Sequence, residues 1–189
     1  MPGFPEFPGT PVVLVHGLMG SPGNFERTAR ALIARRIPVV APAYGRRGTV
    51  SLDDSLTELI DALPPAAPFD IVGHSLGALL GLRIAHRFPG KVRTLVGLGA
   101  TFRGLPTPPN QLFSLSARAF LGRGATELMC PIEATEPAGT RVVSIISDRD
   151  HYVPRSSSEL GEIINVHGIR HEYLPGLADE TIQALRWTP

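Results

Sequence analysis

Short apolar segments recur along the chain, and between them apolar residues repeat at helical spacing. The apolar segments show little alternation with polar positions, which is typical of strands buried on both faces of a parallel sheet. Six strands are predicted: Pro11–Val15, Val39–Ala41, Phe69–Val72, Val92–Leu98, Val142–Ile146 and Ile164–Val166.

The intervening segments predict four helices. They open at Ser21-Pro22, at Ser51 with Asp54 in the capping-box position and an end at Pro64-Pro65, at Leu76 with an end at Phe88, and at Ala178 with an end near Arg186. The helix over 76–88 is apolar nearly all round, which predicts that it packs against a sheet.

Strands that alternate with helices predict an α/β fold with a doubly wound parallel sheet. We expect a single domain over residues 1–189, in which residues 1–10 form an N-terminal extension. Residues 101–140 are less regular and predict a small cap or a long loop, with a loop over 105–110 and a short helix over 111–121. Ligand sites in such sheets lie outside the carboxyl ends of the strands.

Composition narrows the class of protein. The chain has 189 residues, a net charge of +1, 20 glycines and 19 prolines, which argues against a nucleic-acid partner, a disordered chain and collagen. The lone Cys130 excludes an intramolecular disulfide and a CxxC motif. No apolar run reaches about 18 residues, so we expect a soluble protein without an integral membrane segment. We also expect a monomer, cytoplasmic as the chain stands and secreted if a signal peptide has been removed.

One short motif points to chemistry. Gly73-His74-Ser75-Leu76-Gly77 matches G-x-S-x-G and stands between a predicted strand and a predicted helix, the setting that this motif requires. A serine at such a turn has a strained backbone, and side chains at positions 73 and 77 would clash with neighbouring chain. Ser75 is therefore a candidate nucleophile.

A serine nucleophile needs a base and an acid, which follow it in the order acid, then histidine. Asp148 and Asp150 both follow the strand predicted over 142–146 and both remain candidates for the acid. His171 is the best candidate for the base, because it is predicted in a loop between the last strand and the last helix, and His167 is the second candidate. The residue after the nucleophile, Leu76, supplies one backbone N–H for the oxyanion.

Several motifs together resemble the α/β-hydrolase superfamily, and most of all its small bacterial triacylglycerol lipases and esterases without a large lid. They are His16-Gly17-Leu18 after the first strand, Gly73–Gly77, Asp150 with Val153-Pro154, and His171 before the last helix. The resemblance covers about residues 10–187 and implies a minimal α/β-hydrolase fold of about six mostly parallel strands flanked by helices.

The resemblance also implies roles for particular residues. It selects Asp150 over Asp148, because the family's acid stands three residues before a Val-Pro pair. It assigns the second oxyanion N–H to Leu18 and makes His16 an organiser of that loop. The implied activity is that of a serine carboxylic-ester hydrolase.

Such an enzyme would cleave short- to medium-chain acyl esters or lipids through an acyl-serine intermediate, without a metal or cofactor. A thioesterase or lactonase with the same triad is the first alternative, and a haloperoxidase-like enzyme, a carbon–carbon hydrolase and a non-catalytic receptor are further ones. Apolar residues that could border an acyl slot are Met19, Phe25, Phe102, Leu105, Leu112, Phe113 and Phe120.

Overall fold

A computed structural model describes residues 7–65, 68–105 and 122–187 of the chain. The strands are β1 (Val12–Val15), β2 (Val39–Val40), β3 (Phe69–His74), β4 (Val92–Leu98), β5 (Arg141–Arg149) and β6 (Glu162–Arg170). The longer helices are α1 (Glu26–Ala34), α2 (Leu52–Asp61), α3 (Leu76–Arg87) and α4 (Ala178–Leu185). Short helical segments cover Pro22–Phe25, Gly45–Gly48, Arg155–Ser158 and His171–Gly176, and residues 122–128 are also helical.

All six strands pair in parallel in one sheet, in the order β2-β1-β3-β4-β5-β6. The chain runs from β1 to β2 at the edge and then returns to place β3 on the other side of β1. The direction of winding therefore reverses between β1 and β3, and in open α/β sheets such a reversal opens a crevice at the carboxyl ends of the two strands.

The sheet separates two apolar cores. On one face Val13, Ile71 and Leu95 pack with residues of α2 and α3, and on the other face Val12, Val72 and Val96 pack with residues of α1 and α4. Adjacent residues of one strand thus enter opposite cores, which is why the strands are apolar without alternation.

The predicted α/β architecture is confirmed, and the differences lie at the ends of elements. β5 and β6 extend beyond the predicted apolar segments, because polar residues continue the pairing at both ends of these strands. α2 starts as predicted, since the Ser51 hydroxyl accepts a hydrogen bond from the Asp54 amide at 3.1 Å. It ends at Asp61, three residues before the prolines that were predicted to stop it.

Only part of the stretch 101–140 is described, and the loop predicted over 105–110 and the helix predicted over 111–121 lie almost entirely outside it. The described part is fixed to the sheet and its helices. Glu127 accepts a hydrogen bond from the amide of Leu52 at 2.7 Å, and the Leu105 amide donates to the carbonyl of Leu128 at 2.6 Å. The predicted cap remains a prediction.

Two segments far apart in sequence meet at the amino-terminal side of β1. The indole N–H of Trp187 donates to the carbonyl of Thr10 at 3.2 Å, and Trp187 packs against the core that contains α1 and α4. Within the ranges that the structure describes, no helix is both long enough and apolar enough to cross a membrane.

Candidate active site

Ser75 occupies a sharp turn between β3 and α3. Its backbone has φ 52° and ψ −118°, a conformation that residues other than glycine seldom adopt. A Cβ atom on Gly73 would collide with Ala78, and one on Gly77 would collide with the carbonyl of Val15. The turn therefore has the tight geometry that the motif predicts, with Ser75 at its apex and 9% of the residue exposed.

An acid–base pair lies at the carboxyl ends of β5 and β6. His171 Nδ1 and Asp150 Oδ2 are 2.7 Å apart, and the two side chains are only 11% and 3% exposed. The other carboxylate oxygen of Asp150 accepts the amides of Tyr152 at 3.0 Å and Val153 at 2.9 Å. These hydrogen bonds fix the orientation of the Asp150 carboxylate toward His171.

The competing candidates, Asp148 and His167, pair with each other. Asp148 Oδ2 lies 3.0 Å from His167 Nδ1, and the amide of Gly168 donates to Asp148 Oδ1 at 2.8 Å. Their side chains are 54% and 81% exposed, so water surrounds this pair. The geometry thus sorts the four candidates into one buried pair and one solvated pair.

The charge state of Asp150 sets the tautomer of His171. Burial alone would raise the pKa of Asp150, but the hydrogen bonds from His171 and from the amides of Val153 and Tyr152 outweigh burial and lower it. An ionised carboxylate only accepts hydrogen bonds, so Nδ1 of His171 carries the proton. The lone pair of the imidazole is then on Nε2, which is the nitrogen that can act as a base.

His74 supports His171 from inside the protein. Its Nε2 lies 3.1 Å from the carbonyl oxygen of His171, and the two ring centroids are 4.5 Å apart. Burial is the main cause that lowers the pKa of His74 to about 3, and the neighbouring His171 is the second cause. His74 is therefore neutral near pH 7 and donates its Nε2–H to the His171 carbonyl.

Gly99 connects the Ser75 turn with the Asp150–His171 pair. The carbonyl of the preceding residue, Leu98, accepts the Ser75 amide at 3.0 Å. A Cβ on Gly99 would lie 2.7 Å from Asp150 Oδ2 and 3.0 Å from His171 Nδ1, and the residue has φ 53°. Only a glycine lets the end of β4 pass this close to the pair.

No hydrogen bond joins the Ser75 hydroxyl to His171 among the described residues, and such bonds often form only with bound substrate.

Two backbone amides stand beside Ser75. Leu76 is the first residue of α3, and Leu18 follows β1 in the turn whose Gly17 would place a Cβ 3.1 Å from Ser75 Cβ. In the described part of the chain neither the Leu18 nor the Leu76 amide donates a hydrogen bond to backbone. The N-terminal end of a 12-residue helix adds positive potential at this point.

Arg47 holds the turn that carries Leu18. The amide of Met19 donates to the Arg47 carbonyl at 2.8 Å, and the Arg47 guanidinium donates to the carbonyls of Met19 and Gly20. Both Arg47 (φ 67°) and Met19 (φ 60°) have left-handed backbones. Arg47 thus binds both the amide of Met19 and the carbonyls of Met19 and Gly20, which fixes the turn.

His16 lies beneath the same turn. Its ring stacks on Tyr44 with centroids 4.3 Å apart, and its Nδ1–H donates to the Gly17 carbonyl at 2.9 Å. The Tyr44 hydroxyl donates to the His16 carbonyl at 2.5 Å. Burial lowers the pKa of His16, so the ring acts as a neutral packing and hydrogen-bonding group.

The residues suggested for an acyl slot separate into three groups. Phe25 and Phe102 are fully buried and belong to the two cores. Met19 is 42% exposed beside Leu18, and Leu105 is partly buried. Leu112, Phe113 and Phe120 lie outside the described residues.

Sequence reasoning missed Gly99, Arg47 and Tyr152. A glycine directly after a buried strand was the available signal for Gly99, because β4 is the neighbour of the strand that leads to Ser75. Arg47 and Tyr152 gave no signal, since each meets the site only through three-dimensional contacts.

Comparison with known proteins identifies the class. A model of the alpha/beta hydrolase family matches residues 12–176. The protein is therefore a member of the alpha/beta hydrolase family, a family of hydrolytic enzymes.

The curated proteins that match this chain in sequence are distant relatives, less than 30% identical to it. The Escherichia coli O26:H11 protein named "Putative carbamate hydrolase RutD" is 27% identical over 133 residues, which cover 64% of this chain and 49% of that protein. Its counterpart in Escherichia coli O1:K1 is 29% identical over 111 residues, which cover 52% of this chain and 41% of that protein. The chain spans about half the length of these curated relatives.

Solved structures agree in fold. A monoacylglycerol lipase of Paleococcus ferrophilus has a TM-score of 0.67 at 19% identity and covers 93% of this chain and 91% of its own. A carboxylesterase of Nitrososphaera gargenis has a TM-score of 0.67 at 15% identity and covers 94% of this chain and 88% of its own.

Proposed function

We propose that this hydrolase is a serine carboxylic-ester hydrolase that acts on short- to medium-chain acyl esters through an acyl-serine intermediate. The observation that carries the proposal is the buried Asp150–His171 pair beside the strained Ser75 turn. His171 Nδ1 and Asp150 Oδ2 are 2.7 Å apart. A serine without a catalytic role would need neither a strained backbone nor a buried imidazole, paired with a carboxylate, next to it.

Acylation uses five residues of the site. His171 Nε2 takes the proton of Ser75 Oγ while Oγ forms a bond to the ester carbonyl carbon. The amides of Leu18 and Leu76 bind the oxyanion, and Asp150 stabilises the imidazolium. The carbon–oxygen bond to the alcohol then breaks, and His171 transfers the proton to the departing oxygen, which leaves as the alcohol.

Deacylation repeats the same steps with water. His171 removes a proton from a water molecule whose oxygen attacks the acyl carbon. The bond between that carbon and Ser75 Oγ breaks, and Oγ recovers its proton from His171. The products are a carboxylic acid and the free enzyme, so no metal or cofactor enters the balance.

The decisive experiment measures hydrolysis of p-nitrophenyl esters of increasing acyl length by the wild-type protein, by Ser75→Ala and by Ser156→Ala, an exposed serine that serves as the matched control. We expect Ser75→Ala to lose on the order of 10⁴-fold or more in kcat and Ser156→Ala to retain wild-type activity. An aryl phosphonate should add one label to the wild-type protein, seen by intact mass, and none to Ser75→Ala. Full activity in Ser75→Ala would overturn the proposal.

A carbamate is the second candidate substrate, because the Escherichia coli relatives carry the name of a carbamate hydrolase. The same attack on a carbonyl carbon would release an alcohol or amine. Phenyl acetate and phenyl N-methylcarbamate, compared at equal concentration, separate the two candidates, and phenyl thioacetate adds the thioester alternative. A larger kcat/KM for the carbamate than for the ester would replace the ester assignment.

A further inference from the structure

Two aromatic rings contact His171 in the described part of the chain, and they differ in exposure. His74 is buried and its Nε2 is engaged by the His171 carbonyl. Tyr152 is 70% exposed, and its ring centroid lies 5.5 Å from that of His171 at an interplanar angle of 55°. The exposed neighbour of the base is therefore a tyrosine ring.

The backbone of Tyr152 is fixed by the site itself. Its amide donates to Asp150 Oδ1 at 3.0 Å, while Asp150 Oδ2 pairs with His171 at 2.7 Å. One carboxylate thus positions both the imidazole and the residue that carries the tyrosine ring. An exposed aromatic side chain that is anchored in this way can offer a surface to a ligand at small entropic cost.

The reaction determines which part of the substrate meets this ring. His171 must give its proton to the departing oxygen, so that oxygen lies within hydrogen-bond reach of the imidazole. In the proposed reaction the Leu18 and Leu76 amides bind the oxyanion, so the acyl chain extends from the carbonyl carbon in a different direction from the departing oxygen. Met19, the residue after Leu18, is 42% exposed. Since His74 is buried, a leaving group that extends past His171 passes along Tyr152.

We propose that Tyr152 is the residue that selects the leaving group, and that the enzyme prefers esters whose alcohol part carries a planar ring one carbon away from the ester oxygen, as in a benzyl ester. This inference rests on the proposed ester hydrolysis. The Tyr152 ring packs against the ring of the departing alcohol in an offset or tilted geometry while His171 protonates its oxygen. A ring pair of this kind changes the rate of acylation by about 2- to 10-fold.

The test compares benzyl acetate with ethyl acetate, two esters with the same acyl group and with leaving alcohols of similar basicity. The ratio of their kcat/KM values is measured by alcohol release for the wild type, Tyr152→Ala, Tyr152→Phe and Tyr173→Ala. Tyr173 is the matched control, because it is 57% exposed and its ring lies on Arg170, 5.1 Å from the guanidinium carbon.

We expect Tyr152→Ala to lower the benzyl-to-ethyl ratio about 2- to 10-fold and Tyr152→Phe and Tyr173→Ala to keep it. The ratio for ethyl phenylacetate over ethyl acetate should not change in Tyr152→Ala, because that ring is on the acyl side. Hydrolysis of both acetates with an unchanged ratio in Tyr152→Ala would overturn the role of Tyr152 and leave ester hydrolysis standing. Absence of any Ser75-dependent hydrolysis would overturn the proposed function, and this inference with it.

Discussion

At the scale of single residues, environment separates side chains that the sequence presents as equals. Asp148 and Asp150 stand two positions apart on the same strand end, yet one is surrounded by water and the other is 3% exposed. Regular alternation along a strand would send residues two positions apart to the same side. The pairing of β5 with β6 is irregular between Ser147 and Arg149, and β5 ends at Arg149, so Asp148 and Asp150 do not follow that regular pattern. Only the buried one can hold an imidazole in a fixed tautomer next to Ser75.

The first prediction uses this pair of aspartates. Asp150→Asn removes the charge that keeps the proton on His171 Nδ1 and stabilises the imidazolium, so we expect kcat on p-nitrophenyl esters to fall on the order of 10³- to 10⁴-fold. Asp148→Asn, the matched control, should change kcat less than about twofold, because its partner is the exposed His167. A larger loss for Asp148→Asn would identify the solvated pair as the functional one.

The position of a residue in the fold was predictable where a local pattern indicated it. Ser75 stands in a motif between strand and helix, and the position of His171 follows from the order of elements. Tyr152 and Arg47 were not predictable, because an exposed tyrosine or arginine in a loop looks the same whether or not it contacts a site. Their contacts join segments on different strand ends, and no spacing along the chain records such a contact.

At the scale of elements, the β3–turn–α3 unit combines a strained serine with a very close approach between helix and strand. Gly77 permits the first turn of α3 to pass against the carbonyl of Val15 at the end of β1. The elements themselves were predictable, since each strand contains a short apolar segment and each helix has a capping signal or an apolar stripe. Their ends were less predictable, because polar residues of β5 and β6 keep pairing beyond the apolar segments.

The second prediction concerns Gly77→Ala. Intrinsic helix propensity favours alanine over glycine by about 1 kcal/mol, but the new Cβ would strike the Val15 carbonyl. We expect the clash to prevail and the free energy of unfolding in urea to fall by about 1–3 kcal/mol. Gly23→Ala is the control, because its Cβ would meet only Ser21 Oγ at 3.5 Å. Equal stability of Gly77→Ala and the wild type would contradict the close approach of α3 to the end of β1.

At the scale of the whole molecule, two buried histidines tie the stability of the fold to pH. The pKa of His74 falls from 6.5 to about 3 through burial and the proximity of His171, and burial also lowers the pKa of His16. Below pH 6.5 the unfolded chain binds a proton at His74, whereas the folded chain binds this proton only near pH 3. The pKa of His16 is shifted in the same direction. The folded state is therefore favoured as pH rises toward 6.5 and loses stability as pH falls below it.

The third prediction states this dependence as a slope. Between pH 6.5 and pH 4.5 the free energy of unfolding should decrease with falling pH by up to about 1.4 kcal/mol per pH unit for His74 alone. His74→Asn should flatten the slope, whereas His86→Asn, which replaces an exposed histidine, should leave it unchanged. The measurement is a series of urea unfolding curves over this range. A wild-type stability that stays constant below pH 6.5 would contradict the burial of a neutral His74.

The contact between Trp187 and Thr10 has a consequence for protein engineering. Because these two positions touch, a short peptide would join them without stretching the fold. New termini placed at Gly90, where an added Cβ would meet nothing within 4 Å, would open the turn between α3 and β4. In such a circular permutant Asp150 and His171 would precede Ser75 in the gene, while every strand end around Ser75 kept its place.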